Sequence, residues 1–255
     1  MKVLYVYSGK GGVGKSSLTV NLALSIKALG YSVGLYDADF YGPNIDTIME
    51  KLRTKSPSMK GHIVQPGLYA SIKVSSVGLF SRKTDAVFWS GKYLEGLLYQ
   101  TLLGVQWGVE YLLVDMPPGS GLIHQLILSK LPGKSIIITT PQELSFADTI
   151  RSIELLEKLQ IDILGVIENM SYLKCAHCKK IIKIFGGDTK KSIAKPFHLP
   201  IIASIPIDID FARANNKGVP YCFNNKSSNV GKIFKKISLQ LISSFDSPHH
   251  LKLVG

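Results

Sequence analysis

The sequence has few cysteines, few acidic residues and no long apolar run, and each shortage excludes a class of protein. Only three cysteines occur among 255 residues, which is too few for a disulfide framework. Uninterrupted apolar stretches of about 18 residues are absent, so we expect no membrane-spanning segment. The apolar start at residues 1–7 has neither an h-region nor a cleavage site, so we expect a cytoplasmic protein.

Acidic residues are outnumbered by basic ones, 18 to 30, which gives a net charge of +12. Such a surface fits nucleic acid, acidic lipid or acidic protein partners, but it also keeps a protein soluble. Because the lysines are scattered and do not align on one helical face, we favour the solvated surface. Nucleic acid is therefore not expected as a partner.

Short apolar runs with high β-propensity alternate with helical patterns over most of the chain. The predicted strands are 2–8, 32–37, 69–77, 111–115, 134–140, 161–168 and 200–205. The predicted helices are 15–29, 91–106, 120–131, 145–159, 187–195, 208–216 and 228–244. The alternation predicts an α/β fold, a doubly wound and mostly parallel sheet with helices on both faces. Ligands of such sheets bind at the carboxyl ends of the strands.

We predict one P-loop ATPase domain over residues 1–242. Within it, residues 51–68 are interpreted as an excursion with an edge hairpin. Residues 243–255 lose the helical periodicity and are expected to form a disordered tail.

A glycine-rich segment carries the strongest chemical signal. Residues 9–16, GKGGVGKS, match the pattern G-x-x-x-x-G-K-[ST] between a strand and a helix. Glycines let backbone N–H groups turn toward an anion, and the helix N-terminus adds its positive end. Lys15 is expected to reach the β- and γ-phosphates, and Ser16 to ligate Mg²⁺. The predicted Mg-ATP-binding residues are Gly9, Lys10, Gly11, Gly12, Val13, Gly14, Lys15, Ser16 and Ser17.

Acidic side chains end two of the predicted strands, so they belong at the same edge of the sheet. Asp37 and Asp39 close one strand and Asp115 closes another. Carboxylates beside a phosphate loop can hold Mg²⁺ and position water. An acidic residue at a strand end can also cap a helix or form a turn, an alternative with more weight for Asp37 than for Asp115.

Cys175 and Cys178 form a C-x-x-C within the predicted loop 171–184. Two thiolates at that spacing chelate a soft metal, whereas zinc or a 4Fe–4S cluster takes four ligands. A two-fold dimer would turn two ligands into four. A redox dithiol and a zinc knuckle that uses His177 remain as alternatives. Cys222 is interpreted as a small buried apolar residue.

Several strings together resemble one family. The extra lysine at position 10 is the deviant form of the P-loop and resembles MinD, ParA and Mrp proteins. Further matches are DADFYGP at 37–43, VDMPPG at 114–119, TPQ at 140–142, ENMSY at 168–172 with the C-x-x-C, and IFG at 184–186. The chain therefore resembles the Mrp/ApbC-type P-loop iron–sulfur carrier ATPases over residues 3–220.

This resemblance implies a homodimeric ATPase. Lys10 would reach the phosphates of the partner subunit, and Asp39 would contact Mg²⁺ and orient the attacking water. Asp115 would contact Mg²⁺ through water, and Asn169 and Pro206 would lie at the adenine.

The resemblance also implies a 4Fe–4S cluster that Cys175 and Cys178 of both subunits hold and that is delivered to apo iron–sulfur proteins. One rival is a ParA/MinD-like positioning ATPase that acts on DNA or membrane. A second is a non-catalytic scaffold stabilised by zinc.

The sequence departs from the family at three places. Residues 119–122 are GSGL where GTGD is common, so Leu122 replaces a carboxylate. Ser90, Gly91 and Lys92 follow Trp89 where Arg-Gly-Pro is frequent, and Ala176 replaces a proline inside the C-x-x-C. We therefore predict slow ATP turnover.

Overall fold

The structure is a computed structural model that describes residues 1–40, 42–60, 63–76 and 91–246. Trp89, Ser90 and residues 247–255 of the predicted tail lie outside the described residues.

The predicted doubly wound α/β fold is confirmed. One nine-stranded sheet has the order β13-β10-β9-β1-β8-β2-β7-β6-β3, in which neighbours from β13 to β7 pair in parallel. Its strands are β1 (Lys2–Tyr7), β2 (Val33–Asp37), β3 (Arg53–Lys55), β6 (Gly67–Tyr69), β7 (Ile72–Ser76), β8 (Tyr111–Asp115), β9 (Lys134–Thr139), β10 (Ile163–Glu168) and β13 (Ile201–Ser204). Two small antiparallel pairs are β4 (Ser58–Lys60) with β5 (Ile63–Gln65), and β11 (Leu173–Lys174) with β12 (Ile181–Ile182).

The helices cover both faces of this sheet. They are α1 (Lys15–Ala28), α2 (Ile45–Met49), α3 (Gly91–Leu98), α4 (Leu122–Lys130), α5 (Glu143–Lys158), α6 (Ile209–Asn216), α7 (Tyr221–Asn224) and α8 (Asn229–Asp246). A π-helical segment, Tyr99–Leu103, continues α3, and another, Lys190–Ala194, occupies the predicted helix 187–195. Because α8 runs to Asp246, the predicted tail overlaps the helix at residues 243–246.

The prediction of one strand over 69–77 is wrong. The chain reverses there, and β6 pairs antiparallel with β7. Ala70 and Ser71 form the turn with positive φ angles of 48° and 63°. Glycine or asparagine normally marks such a turn, and neither stands at these two positions, so no local signal predicts the reversal. The predicted edge excursion at 51–68 is present as β3 to β6.

Parallel strands with helices on both sides explain the unbroken apolar runs. Residues 3–7 of β1 and all of β8 are buried, since both faces of each strand are covered. One side of the sheet packs against α1 and α8, and the other against α3, α4 and α5. This arrangement brings the carboxyl ends of β1, β2, β8 and β10 to one edge.

Helix α8 has a marked apolar face, and that face is used inside the fold. Phe234, Ile237 and Leu241 are buried, and the Phe234 ring stacks on Phe211 at 5.7 Å between centroids. Among the described residues, no helix combines the length and hydropathy that a bilayer crossing requires.

We predict that Phe234→Ala lowers the free energy of unfolding by about 3–5 kcal/mol, because it empties a fully buried ring site. Leu239→Ala on the same helix is the control, since Leu239 is half exposed, and it should change stability by about 0.5 kcal/mol or less. Urea unfolding measures both. Equal losses would mean that α8 does not pack on the core through Phe234.

Candidate nucleotide site and cysteine hairpin

The phosphate loop leaves the carboxyl end of β1 and enters α1. Gly12 and Gly14 have φ angles of 81° and 86°, which other residues rarely adopt. A Cβ at Gly9 would lie 2.2 Å from the backbone carbonyl carbon of Asp148 in α5. Glycine is therefore required at position 9 for packing and at positions 12 and 14 for loop curvature.

A buried ion pair lies beneath the loop. Lys15 Nζ is 2.7 Å from Asp115 Oδ1, and the Thr19 hydroxyl donates to the same oxygen at 2.9 Å. Asp115 is fully buried, and its Oδ2 has no hydrogen-bond partner among the described residues. A carboxylate with a spare lone pair suits a hydrated Mg²⁺. With Ser16 in the first turn of α1, the residues fit the predicted metal.

Asp37 performs the capping role that sequence alone left open. Its carboxylate accepts hydrogen bonds from the backbone N–H groups of Asp39, Asn44 and Ile45 at 2.9–3.1 Å. Burial, together with the neighbouring Asp115 carboxylate, raises the pKa of Asp37 to about 7, while the N–H donors and the Lys15 ammonium oppose the shift. Asp37 therefore shapes the turn that presents Asp39 and begins α2.

Most of the predicted phosphate-site residues line one open cleft of about 500 Å³. Those residues are Lys10, Gly11, Gly12, Gly14, Lys15, Ser16, Ser17 and Asp39. Gly9, Val13, Asp115, Asn169 and Pro206 do not line it. Lys10 lies at the mouth with an exposed side chain and forms no ion pair with a described residue. Asp39 faces the cleft and accepts a hydrogen bond from the backbone N–H of Gly42 at 3.0 Å.

The cleft has further walls that sequence reasoning missed. They are Ser8, Pro118, the α2 region with Asn44, Thr47 and Ile48, and the end of α6 with Asn215 and Asn216. Helix α2 has five residues, too few for a periodic signal. Asn215 is buried, and its Oδ1 accepts a hydrogen bond from Nδ2 of Asn21 in α1 at 3.3 Å. These two residues are far apart in sequence. The only sequence signal for this wall was the pair of polar residues, Asn215 and Asn216, at the end of the predicted helix 208–216.

Asn169 lies against the phosphate loop. Its amide Nδ2 donates to the Val13 carbonyl at 2.8 Å, and a Cβ at Gly14 would meet the same Nδ2 at 2.5 Å. The amide oxygen and the second N–H of Nδ2 are not used in this contact. Pro206 is half-buried after β13. The adenine-binding roles of both residues stay predictions.

His124 in α4 is another residue that the sequence did not single out. It is buried, with Nε2 at 2.9 Å from the Pro117 carbonyl and Nδ1 at 3.3 Å from the Gly121 carbonyl. Burial lowers the pKa of His124, which favours the neutral ring. The same loop after Asp115 also contacts the residue that follows β1, because the Gly119 N–H donates to the Ser8 carbonyl at 3.1 Å. The loop after Asp115 is thus held both by the phosphate-loop strand and by α4.

The C-x-x-C lies on the short hairpin β11–β12, which projects from the sheet edge. Leu173 bridges to Ile207, and the Cys175 N–H donates to the Lys180 carbonyl at 3.0 Å. Hydrogen bonds from the backbone N–H groups of Cys178 and His177 lower the pKa of the Cys175 thiol. Cys178 is exposed. Donation to sulfur favours thiolate, the form that binds metal.

Cys222 is buried on the α1 side of the sheet, as predicted. Burial raises the pKa of its thiol to about 12, so it stays protonated at neutral pH. Across the part of the chain that is described, no group of three or more His, Cys, Asp or Glu side chains could hold a metal ion. One chain therefore offers two ligands from its hairpin.

The chain is similar to a family model and to named proteins over most of its length. Residues 1–242 match the family model ParA, described as NUBPL iron-transfer P-loop NTPase. An iron–sulfur cluster carrier protein of Methanocaldococcus jannaschii is 36% identical, over 95% of this chain and 84% of its own length. The iron–sulfur cluster transfer protein NUBPL of mouse is 33% identical, over 96% of this chain and 78% of its own.

A solved structure is also similar to this chain. The nucleotide-binding protein of Archaeoglobus fulgidus in complex with ADP has a TM-score of 0.71 and 30% identity, covering 85% of this chain and 86% of that one.

We predict that Lys15→Ala removes stabilisation by Mg-ATP, because it deletes the buried ammonium of the phosphate loop. Wild type should gain about 2.7 kcal/mol when ATP exceeds its Kd by 100-fold. The variant should also be less stable without nucleotide by about 3–5 kcal/mol, since Asp115 loses its counter-charge.

Thermal melts with and without Mg-ATP measure both effects. Lys15→Ala/Asp115→Asn, which removes both charges, should recover most of the unliganded stability and still not respond to Mg-ATP. An equal shift in wild type and both variants would exclude Lys15 as a phosphate ligand.

Proposed function

Because this chain belongs to the ParA/NUBPL family of iron-transfer P-loop NTPases, we propose that it hydrolyses Mg-ATP and carries a 4Fe–4S cluster to apo iron–sulfur proteins. The cluster is cargo, held between Cys175 and Cys178 of two subunits. The observation that carries the proposal is that each chain presents two thiols on a hairpin that follows shortly after Asn169, and Asn169 contacts the phosphate loop. The cytoplasm is the proposed compartment, where reduced thiols persist.

The ATP site is assigned from the cleft. Lys15 would leave Asp115 for the β- and γ-phosphates, which frees Asp115 to accept from metal-bound water. Ser16 would ligate Mg²⁺, which supplies charge neutralisation between the phosphates. Asp39, which lines the same cleft, would contact Mg²⁺ and orient the attacking water. Leu122 is half exposed at the start of α4 and brings no carboxylate, which supports slow turnover.

Lys10 supports the homodimer. Its ammonium is exposed at the cleft mouth and has no carboxylate partner among the described residues. From that position it can reach outward to the phosphates of a partner subunit, where a cation stabilises charge on the transferred phosphoryl group. The two-fold arrangement that this requires also supplies the second pair of thiolates.

The connection between the two sites supports coupling. Asn169 contacts the phosphate loop, and β11 begins four residues later at Leu173. A change in the phosphate loop on ATP binding or hydrolysis can thus reach the cysteine hairpin through one short segment. Nucleotide state would open and close the dimer and so control retention of the cluster.

Two rival functions have less support. A positioning ATPase that acts on DNA or membrane leaves the C-x-x-C without a role, and the apolar face of α8 is already packed against the core. A non-catalytic zinc scaffold leaves the phosphate-loop geometry and Lys10 without a role. Zinc on the same thiolates remains a measurable alternative to iron.

We predict that Lys10→Ala binds ATP with nearly unchanged Kd but loses about 100-fold or more in kcat, because the ammonium acts mainly on the transition state. Equilibrium binding and steady-state hydrolysis measure the two effects. Lys232→Ala, which removes an exposed lysine from α8, should leave both values unchanged. A normal kcat in Lys10→Ala would make Lys10 a solvated loop residue.

We also predict one 4Fe–4S cluster per dimer after anaerobic reconstitution. Iron analysis should give about four iron per dimer, with broad absorption at about 400 nm. Cys175→Ala and Cys178→Ala should each abolish the absorption, because each removes two of the four ligands.

Cys222→Ala is the matched control and should keep the colour, since Cys222 is buried away from the hairpin. Zinc at the same sites would bind without colour. Two iron atoms per monomer in a protein that stays monomeric by light scattering would contradict the shared cluster.

A further inference from the structure

The cysteine hairpin has an exposed surface that takes no part in the proposed ATP site or in ligation of the proposed cluster. Its exposed side chains are Lys174, Lys180, Lys183, Ile181, Ile182 and Ile184, which we call the hairpin surface. The three lysines form no ion pair with a described residue, and no acidic residue occurs anywhere from 169 to 187. Within this segment, positive charge and apolar area therefore surround the two thiols with no acidic side chain among them.

The positive charge of the hairpin exceeds what is needed to neutralise the negative charge of a bound cluster. A cubane cluster with four thiolates has a net charge of about −2 in its oxidised form, and two copies of the hairpin bring several lysines each. Lys179 adds to that number, but its ammonium donates to the Ala176 carbonyl at 2.7 Å and closes the turn. After the cluster is loaded, the hairpin surface is still positively charged.

The apolar part of the surface is equally unusual for a solvated face. Ile181, Ile182 and Ile184 are 59%, 44% and 50% exposed, and they lie within four consecutive residues. Exposed apolar side chains that cluster, with charged residues around them, are typical of a protein–protein contact with an apolar centre and a polar rim. A purely solubilising lysine run would not include them.

We propose that the hairpin surface is the docking site for recipient apo-proteins that present acidic side chains around their own cluster-binding cysteines. In the proposed dimer the second copy meets this hairpin through the thiolates, with the negatively charged cluster between them. It is the less suitable occupant of the lysines and isoleucines themselves, because direct contact there would bring like charges together. An acidic recipient gains attraction from the lysines and burial of the isoleucines. This inference rests on the proposed function, since it assumes that the hairpin holds a cluster.

Docking there places the recipient thiols beside the cluster. Transfer then proceeds by ligand exchange: each iron–sulfur bond to a carrier thiolate breaks as a bond to a recipient thiolate forms. The proton that each recipient thiol loses is taken up by the thiolate released on the carrier, so neither iron nor sulfur changes oxidation state.

The test uses reconstituted full-length protein and, as the probe, the apo form of a small acidic 4Fe–4S ferredoxin. The variant Lys174→Gln/Lys180→Gln/Lys183→Gln should transfer its cluster about tenfold more slowly at low ionic strength, and its rate should depend less on salt. The control Lys232→Gln/Lys235→Gln/Lys236→Gln changes the net charge equally on exposed positions of α8. It should stay within about twofold of wild type.

A second pair of variants tests the apolar contact. Ile182→Ser should slow transfer at high salt, where charge attraction is screened. Ile63→Ser is its control, because Ile63 lies on the separate β4–β5 hairpin with 42% exposure. Cluster content and mass by light scattering are measured first for every variant.

Equal transfer rates in the two lysine variants, with equal cluster content, would overturn the inference. So would loss of the loaded dimer in Ile182→Ser or the hairpin lysine variant, because the surface would then seat a second copy. A wild-type protein that takes up no cluster would instead overturn the proposed function itself.

Discussion

The buried ion pair between Lys15 and Asp115 is the interaction on which the nucleotide site depends. Removing two charges from water is costly unless each is paired, and the Thr19 hydroxyl supports the pair on one carboxylate oxygen. The pair holds the first residue of α1 against the last residue of β8, and this contact positions the phosphate loop that precedes α1. It also keeps the lysine exchangeable, because a triphosphate offers more negative charge than one carboxylate does.

A second constraint connects this site to the cysteines. Glu168 ends β10 next to β9, and Asn169 then turns inward to the Val13 carbonyl. The following residues, from Ser171, run along the end of β13 before β11 begins. The hairpin is thus held at its base by main-chain contacts and is otherwise exposed. Such a projection can meet a partner without disturbing the sheet.

Patterns of local sequence predicted most of the strands, the phosphate loop and the C-x-x-C, because each of these elements is encoded by residues that are close in the chain. The reversal at Ala70 and Ser71 was missed because its residues do not favour positive φ. Asn215 reaches the cleft through a contact with Asn21, which no local pattern encodes. His124 was missed for the same reason, since its partners become visible only when α4 packs on the loop after Asp115.

The distribution of charge is better understood from the fold than from composition. A net charge of +12 spread over the chain favours a solvated surface, but the hairpin departs from that average by having lysines and no acidic residue. Some basic residues elsewhere pair with acidic ones, as Lys134 does with Asp162 and Arg53 with Asp46. Selection for solubility alone would permit such pairs on the hairpin too. Together with the exposed Ile181, Ile182 and Ile184, their absence beside the two proposed cluster-binding thiols supports recognition of an acidic recipient at the point of transfer.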